Sequence, residues 1–461
     1  MRHEQQRPKR GVELYQLNLR TLISFGAIHM TGCHSQSGGV MPCAIIAVAP
    51  LYKGSSGVTG NKWQSPAVVL ACCSIILMLS LGTRQTFGLF LQPMSQDLGW
   101  GRETFAFAIA LQNLLWGALQ PFAGMIADRH GAIRVTAAAG ALYVLGLALM
   151  AFSDTALSFG LSAGLLIGLG LSGTAFGVVM GVAGRAVPAQ RRGTALGIVG
   201  AGGSFGQFAM LPYGQALIGQ WGWLTALLIL AAGAFLMIPL AMGLVASTQS
   251  GADQREQTLR EALKEAASHK SFRLLTLSFL VCGFQTTFIM VHLPAYLVDR
   301  GLTPRDGMMA LAMVMFFNIV GSYGSGVLGD RFSKKYLLTL IYAVRAVALT
   351  GFLVLPITTA STWLFAIFFG LVWLGTVPLT NGLIGQIFGV RYLATLFSIT
   401  FFGHQIGSFL GVWLGGYVFD TTGSYQIVWL ICLGASVVAA IMCLPINEQR
   451  IAPVRASQPA T

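Results

Sequence analysis

GMIADRHGAIR, residues 124–134, and GVLGDRFSKK, residues 326–335, are two versions of one phrase, with Asp128 and Asp330 standing 202 positions apart. Each follows an apolar run long enough to cross a bilayer, which takes about 20 mainly apolar residues. A second pair recurs at nearly the same distance: RRGTALGIVGAGGSFGQF (191–208) and RYLATLFSITFFGHQIGSF (391–409). A repeat of that length in a chain of 461 residues means duplication of a large unit.

Outward from these phrases the chain reads as apolar runs separated by basic and glycine-rich breaks. Twelve are expected, at 66–94, 103–126, 133–152, 156–183, 193–218, 223–246, 273–298, 305–328, 336–356, 362–387, 391–418 and 425–446. Length and charged breaks define them, because helices buried on most sides show little periodicity. Composition agrees: 55% of residues are hydrophobic and only 9% charged, against about 25% charged in soluble domains. The 57 glycines suit close helix packing in lipid. The expected fold is an all-α membrane protein of twelve transmembrane helices, in two six-helix pseudo-repeats around a central cavity.

The domain reading follows from these breaks. Residues 1–65 form an N-terminal tail without a stable fold, or reflect a misplaced translation start. Residues 66–246 form the first six-helix half and 273–446 the second. The polar stretch 247–272 is a cytoplasmic linker, partly helical, with Glu256, Arg260, Glu261, Lys264 and Glu265 at helical spacing. Residues 447–461 are a cytoplasmic tail. The run MPCAIIAVAPL (41–51) is too short to span and too far from the start to be a signal peptide.

A net charge of +13 would suit nucleic acid, but the basic residues lie in the breaks. With the N-terminus inside, sixteen fall in cytoplasmic connections and three, Arg102, Arg300 and Arg305, in external ones. That asymmetry is the positive-inside pattern. It places the chain in the cell's inner (plasma) membrane as a multi-pass protein with both termini cytoplasmic. The seven cysteines show no metal-ligand spacing, and those at 72, 73, 282, 432 and 443 fall in apolar runs as packing residues. No phosphate loop, metal set or nucleophile constellation is present in the sequence, so neither an ATP-driven pump nor an enzyme is expected, and no cofactor.

All fifteen Asp and Glu lie outside the middles of the runs, whereas Arg84 and Arg345 lie inside them. A charge at the centre of a span costs about 2.5–3.5 kcal/mol on insertion scales and marks function by default. Cations without carboxylate partners point to an anionic ligand.

The pattern Gly124, Asp128, Arg129, Gly131, Arg134 resembles the cytoplasmic loop motif of the major facilitator superfamily, with Asp330 and Arg331 in the degenerate second copy. The resemblance implies two facing halves, alternating access and a motif that latches the halves in one state. Capping of helix ends by the same residues is equally compatible. RRGTALGIVGAGGSFGQFAMLPYGQALIGQWGW (191–223) and GTRQTFGLFLQPMSQDLGWGRETFA (82–106) resemble the monocarboxylate transporter branch, which includes bacterial oxalate–formate exchangers. Animal members of that branch carry an Asp and an Arg in helix eight. In FFNIVGSYGSG (316–326) Asn318 and Ser322 take those places, so proton coupling by that route is not expected.

In this superfamily the first span lines the cavity, which makes Arg84 the main anion-binding candidate. A guanidinium can hold a carboxylate through two parallel hydrogen bonds. Otherwise it reaches to the outer headgroups. Arg345 is assigned to support, through backbone carbonyls or a neighbouring helix. His292 and His404 are candidates for proton coupling, since histidine titrates near neutral pH, or are neutral interhelical bonders. Gln112, Asn113, Tyr213, Gln285, Asn318, Asn381, Gln386 and His404-Gln405 are candidate polar lining, or helix–helix glue. The glycines at 197, 200, 202, 203 and 206, and at 403, 407, 411 and 415, either permit sliding or pack statically.

The expected activity is secondary transport of small organic anions, monocarboxylates foremost, by proton symport or anion exchange. The expected partners are the anion, protons and membrane lipid, with no nucleic acid, and the expected state is a monomer. The alternatives are an exporter of neutral or acidic amphiphilic drugs, and a non-transporting membrane sensor.

Overall fold

Ser65 starts the first span: its hydroxyl accepts from the Val68 N–H at 3.4 Å, and Pro66 occupies the first helical turn, where a missing N–H costs nothing. From there the computed structural model is all helix. It describes residues 65–188, 192–244, 258–389 and 392–451. The tail 1–64, the linker residues 245–257 and the last ten residues lie outside the described residues, as does the side chain of Asp128.

Among the described residues, ten apolar helical stretches are long enough to cross a membrane. One of them, Ala195–Ala241, is 47 residues long and serves as two crossings. Its break is Gly222, whose φ of +75° suits only glycine. The helix Leu393–Thr422 completes the set of twelve. The first span is Pro66–Gln85 continued by Phe87–Leu98, the second Arg102–His130 and the third Ala132–Ala151. The fourth runs from Ala156 to Arg185 with a π-turn at Gly160–Leu166 and a break at Ala175. Fifth and sixth share Arg192–Ala234, extended by Met237–Ala241. In the second half, the seventh is Lys270–Asp299, the eighth Pro304–Arg331 and the ninth Lys334–Val354. The tenth is split into Thr359–Leu371 and Thr376–Phe388; the eleventh is Leu393–Thr422 and the twelfth Gln426–Cys443. Between the halves, Leu259–Ser268 forms a short amphipathic helix with a Thr258–Glu261 capping box.

The duplication is visible in contacts that the sequence phrases do not include. Tyr143 donates to the Ser80 carbonyl at 2.8 Å, and Tyr342 donates to the Ser278 carbonyl at 2.5 Å. Ser80 bonds Thr174 at 2.9 Å, and Cys282 bonds Thr376 at 3.2 Å. Gly168 lies against the Gln112 carbonyl, and Gly370 against that of Val314. The threonine and glycine contacts match Ser80 with Cys282, so four residues on Arg84 matches Thr286, and the tyrosine bonds are displaced by one turn. The two halves therefore build one scaffold with different side chains at equivalent depth.

Glycines make the closest approaches within each half. Gly202, Gly203 and Gly206 of the fifth span pack on Ser74, Leu77 and Met78 of the first. Gly403, Gly407 and Gly411 of the eleventh pack on Thr276, Leu280 and Phe284 of the seventh, and Gly415 faces His292. Gly197 has open space around it. These faces join helices inside a half.

The halves meet chiefly through three helix pairs. Gly88 of the first span abuts the Met290 carbonyl of the seventh. Gly117 of the second packs on the Gln405 side chain of the eleventh. Phe208 of the fifth meets Phe316 of the eighth at 5.9 Å between rings. One end of this seam is tied by polar contacts. Arg102, starting the second span, forms a bidentate pair with Asp299 of the seventh at 2.6 and 2.7 Å. Asp420 of the eleventh accepts the N–H groups of Arg102 and Glu103 at 3.0 and 2.7 Å, capping the second span across the seam. Trp413 donates to Glu103 at 3.1 Å, and the Arg102 guanidinium lies 3.8 Å over the Phe419 ring. The Arg102 end is closed.

Candidate functional site

Arg84 is the last residue but one of its helix segment, placed where Pro66–Gln85 gives way to Phe87–Leu98. It is 8% exposed. Its Nη2 donates to Asn113 Oδ1, and its Nη1 lies 3.5 Å from Met290 Sδ on the opposite half. The guanidinium carbon sits 5.2 Å from the centroid of Trp116. Nε has no protein partner. A guanidinium stays protonated even when buried. The nearest groups therefore offer an amide oxygen, a thioether and a ring face, and no carboxylate. The Arg102–Asp299 ion pair lies elsewhere, at the end of the seam.

Asn113 is held in turn by its amide donating to the Ile109 carbonyl at 2.7 Å, which aims Oδ1 at Arg84. Trp116 stacks on Phe176 and meets Phe401 of the other half edge-on at 5.4 Å. Phe401 stacks on His404 at 5.8 Å. His404 Nδ1 bonds Gln405 Oε1 at 3.1 Å. His404 Nε2, Gln405 Nε2 and Trp116 Nε1 are buried without partners. Arg84 Nε, Trp116 Nε1 and Gln405 Nε2 are thus donors from both halves without an acceptor, while His404 Nε2 is the acceptor nitrogen of a neutral ring whose Nδ1 donates to Gln405. Such a layer can hold a small anion with acceptor atoms, and its aromatic walls exclude water.

Of the residues singled out in the sequence, the structure brings Arg84, Asn113, His404 and Gln405 to the seam. Others bridge helices within a half. Gln112 donates to the Ala163 carbonyl at 2.7 Å. Gln285 donates to the Cys432 carbonyl and Ser436 Oγ at 2.7 and 2.5 Å. His292 is clamped between the Tyr425 hydroxyl at 3.1 Å and the Val412 carbonyl at 2.8 Å. Tyr213 and Asn381 are exposed on their helices. Gln386 bonds Lys334 and the Glu448 carbonyl at the end of the tenth span.

Arg345 and Asn318 work together at the split in the tenth span. Arg345, fully buried, donates to the Val372 carbonyl at 2.9 and 3.2 Å and to the Trp373 carbonyl at 2.5 Å. These are the carbonyls freed where the helix stops at Leu371. Asn318 Oδ1 accepts the Leu374 N–H at 3.1 Å. Arg345 also reaches Gln285 Oε1 at 3.1 Å and Cys282 Sγ at 3.3 Å.

In the loop motif, Gly131 ends the second span with φ +96° and Gly124 has open space around it. Arg129, Arg134, Asp330 and Arg331 are exposed. At the equivalent turn, Glu448 accepts from Ser333 Oγ and from the Lys335 N–H, at 2.9 and 2.6 Å, and caps the ninth span.

Trp116 and Met290 were not signalled by the sequence, because an aromatic or methionine inside an apolar run reads as packing. Only the position of Arg84 could have drawn attention to them.

Comparison with known proteins gives the family. The family model of the Major Facilitator Superfamily matches residues 70–412. The chain is 25% identical over 366 residues to an uncharacterized MFS-type transporter, YcxA, of Bacillus subtilis, covering 76% of this chain and 87% of that one. It is 28% identical over 367 residues to monocarboxylate transporter 13 of Rattus norvegicus, covering 75% and 81%. Among solved structures, a bacterial homolog of the human lysosomal transporter Spinster, inward-facing and unoccupied, matches with a TM-score of 0.63 at 15% identity, covering 84% of this chain and 96% of that one. With a family model spanning most of its helices and this shared fold, the chain belongs to the Major Facilitator Superfamily of membrane transporters.

Proposed function

We propose that this transporter moves small organic anions, monocarboxylates foremost, by alternating access about the Arg84 layer. The observation that carries the reading is Arg84 itself: a permanent cation, buried at the seam between the halves, with Nε free and no carboxylate beside it. An anion there neutralises the charge and takes two N–H donors. The animal relatives named monocarboxylate transporters support the substrate class. Asn113 fixes the guanidinium, while Trp116 Nε1 and Gln405 Nε2 offer further donors. By the positive-inside count the closed Arg102 end faces outward, and both termini are cytoplasmic. Coupling is proton symport or anion exchange. His404 is the histidine suited to carry a proton, because both nitrogens of His292 are already committed within one half.

The test is uptake of radiolabelled lactate, pyruvate, formate and oxalate into vesicles holding the purified protein. It is run with and without an inward proton gradient, and beside Arg84→Ala. Saturable uptake of one acid, abolished in Arg84→Ala, is expected. Uptake of none, or full activity in Arg84→Ala, would overturn the reading.

A further inference from the structure

The Arg102 end of the seam is closed by an ion pair that is weak taken alone. The Arg102 and Asp299 side chains are 11% and 27% exposed, and water and salt screen such a pair. Behind it a chain of hydrogen bonds leads away from solvent. Arg102 Nη1 lies 3.0 Å from the Tyr425 hydroxyl, which lies 3.1 Å from His292 Nδ1. His292 Nε2 lies 2.8 Å from the Val412 carbonyl. Tyr425 and His292 are both buried. The chain joins the start of the second span, the start of the twelfth, the seventh and the eleventh.

Elementary chemistry fixes where each hydrogen sits. A carbonyl only accepts, so His292 Nε2 carries the ring hydrogen and donates it to Val412. Nδ1 of that neutral ring then has a lone pair and accepts from the Tyr425 hydroxyl. A guanidinium only donates, so the Tyr425 oxygen accepts from Arg102. A hydroxyl with no fixed partner rotates to suit its surroundings. His292 stops that rotation and leaves the Tyr425 oxygen turned to Arg102, and donating through its hydrogen makes that oxygen the stronger acceptor. The His292 ring is itself held, with its centroid 5.4 Å from that of Phe288 and 5.2 Å from that of Tyr425. Gly415 leaves the gap that the ring fills: a Cβ there would stand 2.6 Å from both Cδ2 and Nε2 of His292. The guanidinium carbon of Arg102 then lies over the Phe419 ring at 3.8 Å and 5.6 Å from the centroid of Tyr425.

We infer that His292 and Tyr425 are positioning residues for alternating access. They present a fixed acceptor to Arg102 across the seam, and so set the balance between the closed and open states at that end. Arg102 is the one member of this chain that belongs to the first half. Opening withdraws it and leaves the Tyr425, His292 and Val412 bonds intact, because all three lie in the second half. The chain is thus a preformed socket for one arginine, built inward from the end of the seam to the middle of the eleventh span. The inference holds whatever solute is carried.

The experiment is a double-mutant cycle on the full-length protein, read as the distance between spin labels at Gln96→Cys and Ala360→Cys. These are exposed sites of different halves near the Arg102 end. Tyr425→Phe keeps the ring and loses the hydroxyl, and His292→Phe keeps a ring and loses both nitrogens. Each should raise the ratio of long to short distances about 2- to 10-fold, the effect of one lost hydrogen bond. Gly415→Ala removes no member of the chain but displaces His292, and should act in the same direction. Beside Arg102→Ala none of the three should change the distances further, because the socket has lost its occupant. Tyr342→Phe loses a hydroxyl bonded within the second half and should match the parent. Unchanged distances in Tyr425→Phe or His292→Phe overturn the inference. Shifts of full size that persist beside Arg102→Ala overturn it too, since they mean that the second half has only been loosened. If His292→Phe does not fold, Tyr425→Phe and Gly415→Ala beside Arg102→Ala decide on the same terms.

Discussion

Asp420→Ala should shift the protein toward the state open at the Arg102 end. The Asp420 carboxylate belongs to the eleventh span, yet it caps the second span by accepting two backbone N–H groups at 3.0 and 2.7 Å. That contact exists only while the halves are together. Losing an N-cap costs about 0.5–2 kcal/mol. The missing charge at the helix N-terminus adds about 0.3–1 kcal/mol. Water can replace part of both when the seam opens, so the closed state should lose roughly 1–3 kcal/mol relative to the open one, about a 5- to 150-fold change in the ratio of states. The control is Asp306→Ala. Asp306 also caps a helix, through the Thr303 box of the eighth span, but its partners lie within one half. It should leave the ratio unchanged.

The assay is electron–electron spin-label distance measurement between Gln96→Cys and Gln426→Cys. These exposed sites lie in different halves near the closed end. Asp420→Ala should add a population at longer distance, and Asp306→Ala should not. Identical distributions in parent and Asp420→Ala would refute the argument that this cap holds the seam. The Arg102–Asp299 pair should act in the same direction with a smaller effect, since its two side chains are 11% and 27% exposed and solvent screens them.

Other consequences are equally direct. Arg345→Leu removes the guanidinium donors from the Val372 and Trp373 carbonyls, and a buried acceptor so orphaned costs about 1–3 kcal/mol. Thermal unfolding of the detergent-solubilised variant should therefore begin at clearly lower temperature, and an unchanged curve would remove its bracing role. Gly407→Ala drives a methyl group into the Leu280 carbonyl and should cost about 1–3 kcal/mol or more, whereas Gly434→Ala meets nothing within 4 Å and should be neutral or mildly stabilising; equal melting of the two would mean the seventh and eleventh spans are not at backbone contact. Glu261 is held below its ordinary range of about 4.5 by the Thr258 N–H and hydroxyl. A depressed carboxylate contributes stability above its unfolded value and loses it as pH falls through the folded one. Amide exchange in Leu259–Ser268 should then rise in acid, and Glu261→Gln should flatten that response.

Span number and the duplication were legible because both depend on length and on repeated phrases, which a linear text preserves. The split of the tenth span at Val372–Gly375 was not, since no proline or charge marks it; its cause is two side chains from other helices, Arg345 and Asn318, that accept the broken backbone as partner. The same reason explains the candidate site. Arg84 could be picked out by its charge alone, but its neighbours Trp116 and Met290 are ordinary apolar-span residues until the seam brings them to it. Gln285 and Asn318 are as polar as Asn113, and nothing in the text tells a residue that faces the seam from one that faces a neighbour in its own half. The decisive information is pseudo-symmetric position. Once Ser80–Thr174 and Cys282–Thr376 are seen to be the same bond, Arg84 and Thr286 fall at one depth in opposite halves. One half then places a bare cation at that depth, and the other places a hydroxyl already bonded to its own helix at the Cys282 carbonyl. The positive charge at the seam therefore comes from one half alone, an asymmetry that a symmetric pair of residues would not give.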